Sequence, residues 1–175
     1  LVPDPKHAGW QIHGGCEGGA WAGNERFGDM GQVARRIRDT GCRPGLWIRP
    51  LLTRLPVPQS WLLRPGTLDP SLPEVIQRVH EDVRECVSSG YELIKHDFST
   101  WDCTGLWGFE MGRVRHAEGP SFADDTRTTA EILLDLYSTL RCAARNSLLL
   151  GCNTVGHLAA GTHEIQRTGD DTSGK

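Results

Sequence analysis

The sequence predicts an α/β fold: part of a (β/α)8 barrel, about strands 2–6, with residues 1–175 as one domain. Three observations carry this expectation. Apolar runs of strand length alternate with segments of helical periodicity, and strands separated by helices imply parallel crossovers. No GxGxxG fingerprint follows the first strand, which disfavours an open dinucleotide-binding sheet. The 175 residues suffice for one hydrophobic core, yet a whole barrel takes ~250.

The elements follow in order. Asp29 caps a helix through about Asp39, with Met30, Val33, Ala34 and Ile37 on one face and Gly41 as the stop. Pro44 to Pro50 is a short strand centred on Gly45-Leu46-Trp47-Ile48. Leu52–Asp69, broken by Pro56, Pro58 and Pro65 and bordered by Pro70, reads as loop. Ser71 caps a second helix with Pro73 in its first turn; Val75, Ile76, Val79, Val83, Cys86 and Val87 make its apolar stripe, and Gly90 ends it. Tyr91–Phe98 is the next strand, and Ser99 to about Phe122 a long loop. A third helix starts at Asp124 or Asp125, with Ala130, Leu133, Leu136, Tyr137 and Leu140 as its stripe. Ser147–Cys152 is a further strand, and Glu164–Gly169 another.

Composition removes several function classes. With 19 Lys and Arg against 22 Asp and Glu, the formal net charge is −3, so no positive field draws in nucleic acid. The longest apolar runs, such as Ser147–Cys152, are too short to cross a bilayer, and Leu1-Val2-Pro3-Asp4 opens no signal peptide. The first residue is not Met, and no closing element follows Asp171, so the sequence reads as a piece of a longer chain. Such a piece of barrel would leave two unpaired sheet edges, which predicts poor solubility or oligomers in isolation. The six cysteines (Cys16, Cys42, Cys86, Cys103, Cys142, Cys152) form no CxxC pair, and Cys86 and Cys142 fall on helical apolar faces. They read as buried free thiols, which leans the expected compartment towards the cytoplasm.

Polar residues gather at the carboxyl ends of the strands, where α/β folds place their chemistry. Trp47 and Arg49 close one strand, Lys95 and Asp97 the next, Cys152 and Asn153 the next, and Arg167, Asp170 and Asp171 the last. Lys95 and Asp97 alternate with His96, so they share one side of the strand while His96 points to the other. A cation beside Asp97 suits a carboxylate nucleophile, and a second carboxylate from another strand end suits acid/base work. Glycoside hydrolysis uses that pair, roughly 5–5.5 Å apart in retaining enzymes. Six tryptophans (Trp10, Trp21, Trp47, Trp61, Trp101, Trp107) against two tyrosines fall mostly in loops and at strand tips, where indole faces suit the C–H faces of sugars. His7, His13, His96, His157 and His163 are the candidates for a metal, but no HxH or HExxH occurs; no metal and no cofactor is expected.

These motifs resemble the catalytic barrel of the α-galactosidase (melibiase) group, glycoside hydrolase family 36 and its clan relatives. The matching stretches are Gly9-Trp10-Gln11, Trp21 through Asn24 with Phe27, Met30 into the first helix, Gly45–Pro50, Ile94–Phe98, Gly151-Cys152-Asn153 and Arg167–Asp171. The resemblance implies a retaining, metal-free double displacement on an oligosaccharide or glycoconjugate. It makes Asp97 the nucleophile and Asp170 the acid/base, with Asp171 as the alternative one residue on. Trp10, Trp47, Arg49, Lys95, Cys152, Asn153, Arg167 and Asp171 would line the sugar subsite. Relatives of this kind form oligomers, so a homo-oligomer is allowed. His7-Ala8-Gly9-Trp10 replaces the family's usual Asp-Asp-Gly-Trp, which holds galactose hydroxyls, so a different α-linked sugar is also allowed. Two alternatives stay open: transglycosylation from the same covalent intermediate, and a non-catalytic carbohydrate-binding or truncated, inactive homologue.

Overall fold

A computed structural model describes residues 23, 27–106 and 121–169. Helix α1 (Met30–Asp39) starts as expected: the Asp29 carboxylate accepts from the N–H groups of Gly31 (2.7 Å) and Gln32 (3.2 Å). Gly41, at φ +82°, takes the left-handed turn that ends it. Strand β1 (Gly45–Ile48) follows.

The proline-rich stretch expected as loop holds more structure than its composition suggests. A 3₁₀ turn (Gln59–Trp61) leads into a small antiparallel hairpin, β2 (Leu62–Arg64) and β3 (Thr67–Leu68). Its turn, Pro65-Gly66, is allowed by Gly66 at φ +76°.

Helix α2 (Pro73–Ser88) begins one residue later than expected. Leu72, not Ser71, is the N-cap, because the Ser71 hydroxyl is taken by the Asp124 N–H at 3.1 Å. Pro73 at the first helical position leaves no orphan N–H there. Strand β4 (Leu93–His96) is shorter than the Tyr91–Phe98 run, and a short helix, α3 (Ser99–Thr104), follows where loop was expected.

Helix α4 (Thr129–Ala144) starts after Asp124 and Asp125. Asp124 folds instead into a local turn onto the Thr126 N–H and hydroxyl (3.1 and 2.6 Å). The start is a capping box, with Glu131 accepting from the Thr128 N–H at 2.7 Å while the Thr128 hydroxyl accepts from the Glu131 N–H. Its buried stripe runs through Ile132, Leu133, Leu136, Tyr137, Leu140, Ala143 and Ala144; Ala130 and Cys142 fall off that stripe and are exposed. Strand β5 (Leu148–Gly151), the short helix α5 (Gly156–Ala159) and strand β6 (Ile165–Gln166) complete the chain as described.

The four longer-range strands form one parallel sheet in the order β1-β4-β5-β6, which follows chain order. Neighbouring strands joined through helices in that order are the arrangement of a segment of a (β/α)8 barrel; the described residues do not close one. One face of the sheet, with Leu46, Ile48, Ile94 and Leu149, is buried with Val75, Val79 and Val83 of α2 and Leu133, Leu136 and Leu140 of α4. The other, carrying Trp47, Leu93, Lys95, Leu148 and Leu150, is half-buried. Strand alternation has thus put Lys95 and His96 on opposite sides, as the sequence predicts.

Candidate functional site

Backbone bonds continue past the strand ends and hold the next residues level with one another. Asp97 N–H donates to Ile48 (3.0 Å), Cys152 N–H to His96 (2.8 Å) and Arg167 N–H to Gly151 (2.8 Å). Asp97, Cys152 and Arg167 are each the first residue after a strand, so parallel pairing brings them to one rim, and Arg49 occupies the same position after β1. Trp47 and Lys95 are paired across β1 and β4, two residues short of that rim.

Asp97 is 5% exposed, and donors converge on both of its oxygens. The Trp47 indole N–H donates to Oδ2 at 2.8 Å, and Lys95 Nζ lies 3.8 Å from the same oxygen. Oδ1 accepts from the Phe98 N–H at 2.8 Å. The Cys152 thiol lies beside this carboxylate; burial, and then the Asp97 charge, push the thiol up from its ordinary value. Arg167 Nη1 approaches Cys152 Sγ at 3.5 Å. Asn153, in a left-handed conformation (φ 50°), accepts from the Thr100 N–H through its carbonyl.

Arg49 is turned onto α3. Its Nε and Nη2 reach the carboxylate of Asp102, with contacts of 3.2, 3.0 and 2.6 Å, and its Cζ lies 4.5 Å from the centre of the Phe98 ring. The Asp102 side chain is fully buried. Burial pushes its carboxyl up, and the Arg49 fork works against that shift.

Behind the rim, His96 faces the helices. The Thr162 hydroxyl donates to the Ala159 carbonyl (2.9 Å), so it accepts from His163 Nδ1 (2.9 Å). His163 Nε2 is then the acceptor for His96 Nδ1–H at 3.2 Å. Tyr137 packs edge-on against both rings. Burial holds His96 well below its ordinary value and lowers His163 to about 4. Among the described residues, no group of three or more His, Cys, Asp and Glu is arranged to hold a metal.

Of the expected site residues, the structure brings together Asp97, Trp47, Lys95, Cys152 and Arg167, with Asn153 next in the chain to Cys152. Trp10, Asp170 and Asp171 lie outside the described residues, as do His7, His13, Cys16, Trp21 and Trp107. Two supporting residues lie outside the expected site: Asp102, in a stretch the sequence predicts as loop, and His163, which the sequence offers only as a metal candidate. The stop at Gly105, φ +70°, was a legible sign of the helix that carries Asp102; nothing local marks the pairing of His163.

No protein-family model matches the sequence, and no curated protein does. Solved structures do. TtGalA, an α-galactosidase from Thermus thermophilus in complex with stachyose, aligns with TM-score 0.66 and 26% identity over 86% of this chain. The same enzyme in complex with p-nitrophenyl α-D-galactopyranoside aligns with TM-score 0.65, again at 26% identity over 86%. This chain covers 34% and 32% of those two chains, about a third of their length. The fold is therefore α-galactosidase-like.

Proposed function

We propose that this chain carries the nucleophile of a retaining α-glycosidase of α-galactosidase type, acting on a terminal α-linked sugar of an oligosaccharide or glycoconjugate. One observation carries the reading: at the carboxyl rim of a parallel sheet, an indole N–H, a backbone N–H and a nearby lysine converge on one almost buried carboxylate, Asp97. A fold like that of an α-galactosidase supports it.

In the first displacement a carboxylate oxygen of Asp97 bonds to the anomeric carbon as the glycosidic C–O bond breaks. Asp170, or Asp171 beside it, supplies the proton that the departing oxygen takes up. In the second, water attacks the anomeric carbon, gives its proton to that same acid/base residue, and Asp97 leaves as a free carboxylate. Trp47 and Lys95 fix the nucleophile, since both reach its Oδ2. Lys95 and Arg167 would also donate to sugar hydroxyls, with Trp10 and Trp47 as apolar walls and Cys152 and Asn153 lining the subsite.

The test uses the full-length protein with aryl α-galactoside, α-glucoside and α-N-acetylgalactosaminide, beside Asp97→Gly with and without azide. The expected result is turnover that vanishes in the variant and returns with azide as a β-glycosyl azide. Binding of these sugars without turnover would support a carbohydrate-binding role instead. A sugar acceptor that diverts the native product to a new glycoside would identify transglycosylation.

A further inference from the structure

The contacts around α3 extend beyond Asp97, and this inference rests on the glycosidase reading above. Asp102 stands in the first turn of α3, and the Arg49 fork binds both of its oxygens. The same guanidinium lies over Phe98, whose ring packs edge-on against Trp47 at 6.2 Å. Phe98 is the residue between the nucleophile and the helix. It holds φ 66°, a left-handed conformation that is strained for any residue with a side chain. Its N–H is the donor to Asp97 Oδ1.

We infer that Asp102 is a positioning residue for Asp97: by anchoring Arg49 over the Phe98 ring, it holds the left-handed turn that aims the carboxylate at the anomeric carbon. A Phe98 relaxed to negative φ would redirect the chain at the peptide that holds Oδ1, and its ring would leave Trp47, the donor to Oδ2. One ion pair, its carboxylate fully buried, therefore supports the donors on both nucleophile oxygens. Arg49, expected to line the sugar subsite, has its guanidinium engaged in this support.

The experiment compares two backgrounds of the full-length protein, using whichever of the three aryl α-glycosides the native protein turns over. One background is native; the other is Asp97→Gly with azide as the external nucleophile. Azide bonds to the anomeric carbon, and the aryl oxide leaves with the electron pair, so Asp97 and its alignment are bypassed. In the native background Asp102→Asn is expected to lower kcat by about 10- to 100-fold with KM nearly unchanged, the scale of a small misplacement of a reacting group. In the Asp97→Gly background the same substitution is expected to change the azide rate less than about twofold, because nothing remains to be aimed. Arg49→Lys, which keeps the charge beside Asp102 but loses the fork, is the second variant and should show the same split if Asp102→Asn does not fold.

Equal losses in both backgrounds would overturn the inference, since Asp102 would then support the site as a whole. So would an undiminished native rate. Absence of native turnover, or of azide rescue in Asp97→Gly alone, would remove the glycosidase reading and this inference with it; both are read before residue 102 is altered, so the two failures are distinct.

Discussion

Trp47 and Lys95 lie directly opposite one another in the β1–β4 register, and both reach forward to the same atom, Oδ2 of Asp97, at 2.8 and 3.8 Å. Parallel pairing makes this possible. Both side chains stand on one face of the sheet, and Asp97, two residues past Lys95, stands on it too.

Trp47→Phe keeps an aromatic wall and removes the N–H that reaches Asp97. It is expected to lower kcat on an aryl α-glycoside by about tenfold or more, with a small change in KM. Steady-state kinetics of the full-length variant decide it: a raised KM with kcat intact would mean that Trp47 serves the sugar alone.

The buried His96–His163 pair makes stability depend on pH. Both rings are held below their ordinary values, His163 to about 4. The unfolded chain takes up protons near pH 6.5, while the folded pair resists them. Stability is therefore full above about pH 6.5 and falls as pH drops from there towards 4, by up to about 1.4 kcal/mol per pH unit for each histidine. Urea midpoints of the full-length protein at pH 7, 6 and 5 measure this slope, and His163→Gln is expected to make it shallower.

Gly151 ends β5 where there is no room for a side chain. A Cβ there would lie 2.6 Å from Gln166 Oε1, 2.7 Å from Thr154 Oγ1 and 3.3 Å from His163 Cδ2. Gly151→Ala must displace the Thr154–Gln166 hydrogen bond (2.9 Å) and is expected to destabilise by about 1–3 kcal/mol. A melting temperature within error of the parent would contradict the packing described for β5 and β6.

The thiols divide by exposure. Cys42 and Cys142 are exposed, whereas Cys86, Cys103 and Cys152 are buried, and burial pushes the Cys103 and Cys152 thiols up. Among the described cysteines, brief alkylation of the native protein followed by peptide mapping should therefore modify Cys42 and Cys142 and spare Cys86, Cys103 and Cys152 until denaturant is added. Cys152 reacting as fast as Cys42 would count against its placement beside Asp97.

Much of the frame was legible because its signals are local. The Asp29 cap, the valine stripe of α2 and the alternation that separates His96 from Lys95 and Asp97 each lie within a few residues of one another. What escaped the sequence depends on distant partners. Ser71 looks like a helix cap until Asp124 claims its hydroxyl, and Asp124 looks like a helix start until the Thr128–Glu131 box displaces it. The hairpin of β2 and β3 was hidden because prolines in its approach and turn signal loop. Arg49 was visible as a strand-end cation, but its partner Asp102 sits on a helix whose left-handed first neighbour, Phe98, carries no glycine or asparagine to announce it.

Backbone ease and ring contacts make opposite demands at Phe98. Its backbone would be eased by glycine or asparagine, the residues that occupy such conformations most readily. Either substitution would erase the ring that Arg49 covers and Trp47 abuts. A randomised library at this codon, sorted for heat tolerance, would drift towards the small residues, while one sorted for turnover would retain aromatics. The two enriched pools would part company at this position, and the extent of their divergence would record how much conformational ease the chain gives up here to keep the ring.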